Sequence, residues 1–286
     1  MRATAAAVEL SPTPASSTPA GPGQARPLLQ EALATRLRLR GPGHAEIAAS
    51  LVRLGTLAQL SGKGDAVALF RRALAICEAR HGPGRPEAAD VLDKLGTTLA
   101  ARGRLDEAEK VLHRSLVLSQ RLWGTGDPRV AKVLHNLSGI AYYRGRTEEG
   151  ERLLRRALAI REAALPDDDP DLAGSREALA LLLQQRRKTA EATALLERVA
   201  AITEKVYGPA HPELARTLLN LGLARADLGQ DAIARRLFER ALAIDEKTLE
   251  PTHPQRVRAQ EVLAKHCRDI VLSDAESDEL CRKHGL

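Results

Sequence analysis

The octapeptide LLRRALAI at residues 153–160 recurs along the chain at near-constant spacing, and this constrains the fold more than any other feature. Its copies are LLQEALAT at 28–35, LFRRALAI at 69–76, VLHRSLVL at 111–118, LLERVAAI at 195–202 and LFERALAI at 237–244. Their starts lie 41, 42, 42, 42 and 42 residues apart. A period of this size means that no unit closes a core by itself. Each buries its apolar face on its neighbours, so the chain reads as a solenoid.

The punctuation between copies is as regular as the copies. Asp127-Pro128, Asp169-Pro170, His211-Pro212 and His253-Pro254 follow one another at the same period, with Arg85-Pro86 before them and His44-Ala45 opening the first full unit. Proline at a first helical position gives up an N–H that had no partner, and an Asp before it can cap free amides. Gly62, Gly103, Gly145 and Gly229 stand where a first helix must stop, whereas the fourth unit has Arg187 there. The expected organisation is a disordered tail over 1–25, a half repeat over 26–43, full repeats over 44–84, 85–126, 127–168, 169–210 and 211–252, and a capping helix over 253–270. An acidic tail over 271–286 follows, in which Ser273-x-x-Glu276 makes a capping box for one short helix ending near Leu280.

Composition enters through what it excludes. No apolar run approaches the roughly 20 residues that span a bilayer, so no membrane insertion is expected. Cys77, Cys267 and Cys281 share no paired spacing, which implies neither a disulfide framework nor a zinc module. The residues up to Gln24 contain Glu9 as their one acid and only Arg2 as a base. That reads as a plain tail on a cytoplasmic protein, with an Arg-rich organelle transit peptide as the weaker alternative. SGKG at 61–64 lacks the spacing of a phosphate loop, GTGD at 124–127 lacks the third glycine of a dinucleotide loop, and neither HExxH nor GxSxG occurs. His211 and His253 sit one period apart and read as turn residues, not metal ligands. The expectation is therefore no catalysis, no cofactor and no metal.

Aligned on Ala48, Ala89, Ala131, Ala173 and Ala215, the units show small residues at Gly55, Gly96, Ser138, Ala180 and Gly222, and again at Ala66, Ala108, Gly150, Ala192 and Ala234. Large residues such as Leu154 and Phe238 follow. This pattern resembles the tetratricopeptide repeat, and the 42-residue period with Asp/His-Pro before each unit is similar to the kinesin light chain type. The resemblance spans Arg26 to about Ile270. It implies an all-α, right-handed α-solenoid of antiparallel helix pairs, whose first helices line a concave groove for an extended peptide or partner segment. No heptad segment of the kind that couples such repeats to a motor precedes Arg26.

Carried onto this chain, the resemblance places Arg53, Lys94, Lys132, His135, Asn136, Tyr142, Tyr143, Gln184, Arg216 and Asn220 in the groove. Asn136 and Asn220 are similar to the asparagine that grips a peptide backbone. A carboxamide suits that task because it offers both a donor and an acceptor. Arg53, Lys94 and Ala178 stand at the equivalent places and depart from the pattern. Tyr142 and Tyr143 are anchor candidates, while Trp123 and Tyr207, ending second helices, read as core. Acids at Asp90, Asp93, Glu177 and Asp227 mix the groove charge.

With 43 Lys and Arg against 37 Asp and Glu, the net charge is +6. Arg72, Arg114, Arg156, Arg198 and Arg240 recur at one place in the second helices and could track phosphates. A solvated convex face is the simpler reading, so nucleic acid is kept at low weight. The preferred function is a protein-binding scaffold. The alternative is the sensor or docking arm of a larger signalling enzyme complex.

Overall fold

The computed structural model describes residues 22–82 and 84–270, and every regular element among them is a helix. In chain order these are α1 (Pro22–Arg40), α2 (Ala45–Ser61), α3 (Ala66–His81), α4 (Pro86–Ala101), α5 (Leu105–Trp123) and α6 (Pro128–Tyr143). There follow α7 (Thr147–Ala164), α8 (Pro170–Gln185), α9 (Thr189–Tyr207), α10 (Pro212–Asp227), α11 (Asp231–Thr248) and α12 (Pro254–Ile270). The helices form two compact units that divide at Arg146 and Thr147. The first holds α1 to α6 and the second α7 to α12. The acidic C-terminal tail with its capping box, Cys281 and the N-terminal tail up to residue 21 lie outside the described residues.

The N-terminal boundary differs from the sequence expectation. Residues 22–25, assigned above to the tail, are the first turn of α1, which opens on Pro22. A proline at that position loses no hydrogen bond, so the helix can start before the periodic apolar residues do.

Local chemistry explains the other starts. Asp127 accepts from the Arg129 amide at 2.8 Å and Asp169 from the Asp171 amide at 2.8 Å. The histidines do the same work: Nδ1 of His44, His211 and His253 accepts from the amide two residues on, at 3.3, 3.2 and 3.3 Å. They are turn residues, as the sequence suggested, with a capping role added. The turns within helix pairs close through left-handed residues, Gly103 at φ 73° and Gly229 at φ 71°, and Arg187 takes the same conformation at φ 57°.

Packing rests on the small and large residues of the repeat. In the first unit a Cβ on Gly55 would come within 2.7 Å of the Phe70 ring, and one on Gly96 within 2.5 Å of Leu112. Gly222 is filled by Phe238 in the second unit in the same way. The helices thus approach closely because one partner lacks a side chain, and the ring fills the notch. At the end of the second unit Ala259, Leu263 and Cys267 form the buried stripe of α12, packed with Phe238 and Leu242. Lys265 and Arg268 stay exposed on its other side.

Polar residues recur after the LLRRALAI segment and bond across to the next helix, each pair including a buried polar group: Ser50, Arg161 with Ser175, and Asp245. Arg36 donates to Ser50 Oγ at 2.6 Å, Arg161 donates to Ser175 and to the Asp171 carbonyl, and Gln255 donates to Asp245 at 2.7 Å. Burial pushes the Asp245 carboxyl up from its ordinary value.

Candidate functional site

Lys132, Asn136, Gly139 and Tyr143 fall four, three and four residues apart, so they share one face of α6. Beside them on α4 lies Asp93, only 5% exposed. Asn136 Nδ2 donates to Asp93 Oδ1 at 2.7 Å and Lys132 Nζ pairs with Oδ2 at 2.9 Å. A carboxylate can only accept, which fixes the Asn136 amide group toward Asp93 and turns its carbonyl oxygen the other way.

The second unit repeats the arrangement. Glu177 on α8 is buried, and its Oε1 accepts from Arg216 Nη1 at 2.5 Å and from Asn220 Nδ2 at 3.0 Å, both on α10. Arg216 also reaches Glu213 Oε2 at 2.6 Å. Burial works to lower the Arg216 pKa, but the Glu177 and Glu213 charges outweigh it and hold the guanidinium firmly protonated. Arg216, Asn220, Leu223 and Asp227 repeat on α10 the face of Lys132, Asn136, Gly139 and Tyr143 on α6.

The sequence reading placed Asp93 and Glu177 among the groove acids that merely mix its charge. They are instead the buried acceptors that hold the two asparagines. The signal was present in register: each acid precedes its asparagine by 43 residues, and the places equivalent to the acids hold Val52, His135 and Leu219. The device therefore skips alternate repeats.

The remaining candidate residues are spread more widely. Arg53 is exposed on α2, and Lys94 on α4 and His135 on α6 are half-buried. Tyr142 is half-buried and Tyr143 is 46% exposed, with the two rings edge to face at 5.6 Å. Nothing lies within 4 Å of the place a Gly139 Cβ would take, which leaves an open step between Asn136 and Tyr143. Gln184 sits at the far end of α8, about 10 Å along the helix from Glu177 by helical rise.

Two expectations for aromatic residues are corrected. Tyr207 is 43% exposed and stacks on His211 at 4.8 Å, and Trp123 is half-buried with the Arg129 guanidinium 3.9 Å above its ring. Both close helices at a turn, where one ring face has no further helix to meet, so a stacking partner covers it instead of the core.

The arginine ladder is partly neutralised. Arg114 pairs with Glu78, and Arg240 pairs with Glu204 at 2.6 Å, while Arg72, Arg156 and Arg198 are exposed. A second set of charges lies beside the turns. Glu109 takes Arg146 at 2.6 Å and Arg144 at 3.3 Å in the first unit, and Glu151 takes Arg155 at 2.8 Å, Lys188 at 2.9 Å and Arg186 in the second. Burial of Glu151 acts to raise its pKa, but the hydrogen bonds from Lys188, Arg155 and Arg186 prevail and hold it at about 2. Among the described residues no group of three or more His, Cys, Asp or Glu could hold a metal, and no helix is long and apolar enough to cross a membrane.

Comparison with known proteins bears on the family and the fold. The tetratricopeptide repeat family matches residues 22–79, 64–116, 87–163 and 171–247. A solved structure of a Podosopora anserina putative kinesin light chain with nearly identical TPR-like repeats is 26% identical, with a TM-score of 0.61 over 72% of this chain and 98% of that one. The structure of BtubC (BKLC) from P. vanneervenii is 22% identical, with a TM-score of 0.66 over 81% of this chain and 93% of that one, a likeness of fold. No curated protein matches the sequence significantly. Matching repeats, helix pairs closed by the same small and large residues, and similar solved structures together place the chain in the tetratricopeptide repeat family.

Proposed function

We propose that the chain is a non-enzymatic scaffold for protein–protein interaction, and that the α6 face carrying Lys132, Asn136, Gly139 and Tyr143 holds an extended segment of the partner. The α10 face from Arg216 to half-buried Leu223 and exposed Asp227, with Asn220 buried beneath it, is offered as a second such surface within its own unit. The observation that carries this reading is the bond from Asn136 to buried Asp93. A carboxamide held in one orientation presents its carbonyl oxygen to a peptide N–H without paying rotamer entropy on binding. Gly139 leaves room for backbone beside it, and the exposed Tyr143 ring can cover an apolar side chain.

The test begins with partner capture from the source organism, using the intact chain and an Asn136→Ala/Tyr143→Ala variant. Titration calorimetry on the recovered partner should then show a loss of about 2 kcal/mol or more for that variant, as for a central anchor. Arg156→Ala/Arg198→Ala, which removes exposed arginines of the second helices, should change affinity by less than about 1 kcal/mol. Generic RNA at two salt concentrations supplies the contrast. Binding lost only in the arginine variant, with a steep fall as salt rises, would overturn the peptide reading in favour of nucleic acid.

A further inference from the structure

The turn between α8 and α9 holds a residue that its sequence disfavours. Arg187 adopts φ 57°, where Gly103, Gly145 and Gly229 serve the equivalent turns at φ 73°, 71° and 71°. Left-handed backbone is unfavourable for a residue with a Cβ, yet the closure is the same as elsewhere. Lys188 N bonds to Leu183 O at 2.9 Å, as Arg104 N bonds to Leu99 O at 3.0 Å. The turn would form more easily with glycine, so its tolerance of arginine directs attention to what the side chain borders.

It borders a cavity of about 870 Å³, lined by Gln184, Gln185, Arg187 and Lys188 and, from the end of α10, by Asp227 and Leu228. That volume lies within the range of ligand sites, roughly 300 to 1,000 Å³. Lys188 is already engaged, with its Nζ at 2.9 and 3.2 Å from the two oxygens of Glu151. Glu191 also lines the cavity and is engaged by Arg155 at 2.8 Å. Among the described residues Arg187 and Asp227 make no ion pair, so the uncompensated charges there are one positive and one negative, beside two carboxamides. A guanidinium beside carboxamides matches a carboxylate flanked by peptide groups. Asp227 also continues the α10 face of Arg216, Asn220 and Leu223, so a segment laid along that face arrives at the cavity.

We infer that this cavity binds an acidic side chain of an extended partner segment, its carboxylate on Arg187 and its neighbouring peptide groups on Gln184 and Gln185. Asp227 then favours a basic residue next to that acid. This rests on the peptide reading of the α10 face and adds the sequence class that the second unit selects.

The test uses the full chain, labelled with ¹⁵N, and two blocked synthetic peptides, Ac-Gly-Glu-Gly-Lys-Gly-NH2 and its counterpart with Gln in place of both charged residues. The Glu/Lys peptide should shift the side-chain amide signals of Gln184 and Gln185 and the Arg187 Nε–H signal. Its affinity should fall about tenfold with Arg187→Gly, and the neutral peptide should be weaker by a similar factor. Arg187→Gly should melt no lower than wild type, because glycine suits that turn, so lost binding cannot be assigned to unfolding. Unmoved Gln184 and Gln185 signals, equal binding of the neutral peptide, or undiminished binding to Arg187→Gly each overturn the inference. Backbone shifts at Arg216 and Leu223 report the α10 face separately. Shifts there with a silent cavity leave the peptide reading standing and remove this one.

Discussion

Asn220 gives an amide hydrogen to Glu177 across 43 residues at 3.0 Å, and both side chains are buried. Replacing Glu177 by Ala leaves Arg216 and Asn220 without that acceptor, and stability should fall by about 2 to 3 kcal/mol. Glu177→Gln keeps an acceptor and should lose less. Urea unfolding of both variants beside an exposed control, Glu246→Ala, checks this. Equal midpoints for Glu177→Ala and the control would show that the buried pairing contributes nothing.

Glycines inside helices should separate by what surrounds them. Gly96→Ala drives a Cβ into Leu112 and Gly222→Ala drives one into Phe238, so each should destabilise by about 1 to 3 kcal/mol. Gly139→Ala meets nothing within 4 Å and gains helix propensity, so it should stabilise by up to about 1 kcal/mol. The same variant closes the step beside Asn136 and should weaken partner binding. Thermal melts and calorimetry on the three variants give the comparison.

The pH dependence follows from two carboxyls with opposite shifts. Glu151 is held at about 2 against an ordinary 4.5, so its contribution is present above pH 4.5 and disappears as pH falls toward 2. Glu151→Gln should therefore cost about 3 kcal/mol at pH 7 and much less near pH 2. Asp245 is raised by burial, so its ionisation opposes folding above its ordinary 3.8. Asp245→Asn should leave stability at pH 7 unchanged or improved. Urea unfolding from pH 7 down to pH 2 reads both.

An in-register deletion tests the repeat itself. Removing residues 169–210 takes out α8 and α9 and brings His211-Pro212 to the place of Asp169-Pro170. The product should remain helical with a cooperative melt, because each pair needs only a neighbour with the same faces. A deletion of 21 residues from 169 should not, since the faces that meet would no longer be equivalent. Circular dichroism of the two products decides it.

What the sequence determined by itself was everything carried by contacts within a few residues or repeated at a fixed period. Asp-Pro and His-Pro starts, glycine stops and the pairing of Gly222 with Phe238 need only local backbone preference and one copied interface, so the period exposed them. The stacking of Tyr207 on His211 and of the Arg129 guanidinium over Trp123 was decided by what the neighbouring turn leaves uncovered, which no spacing records. The asparagines show the division most clearly. Their places were legible from the repeat, but their orientation depends on Asp93 and Glu177, 43 residues earlier and buried on another helix. A side chain that ends on a carboxylate in a different repeat is fixed by how closely two helices approach, and only the folded chain sets that distance.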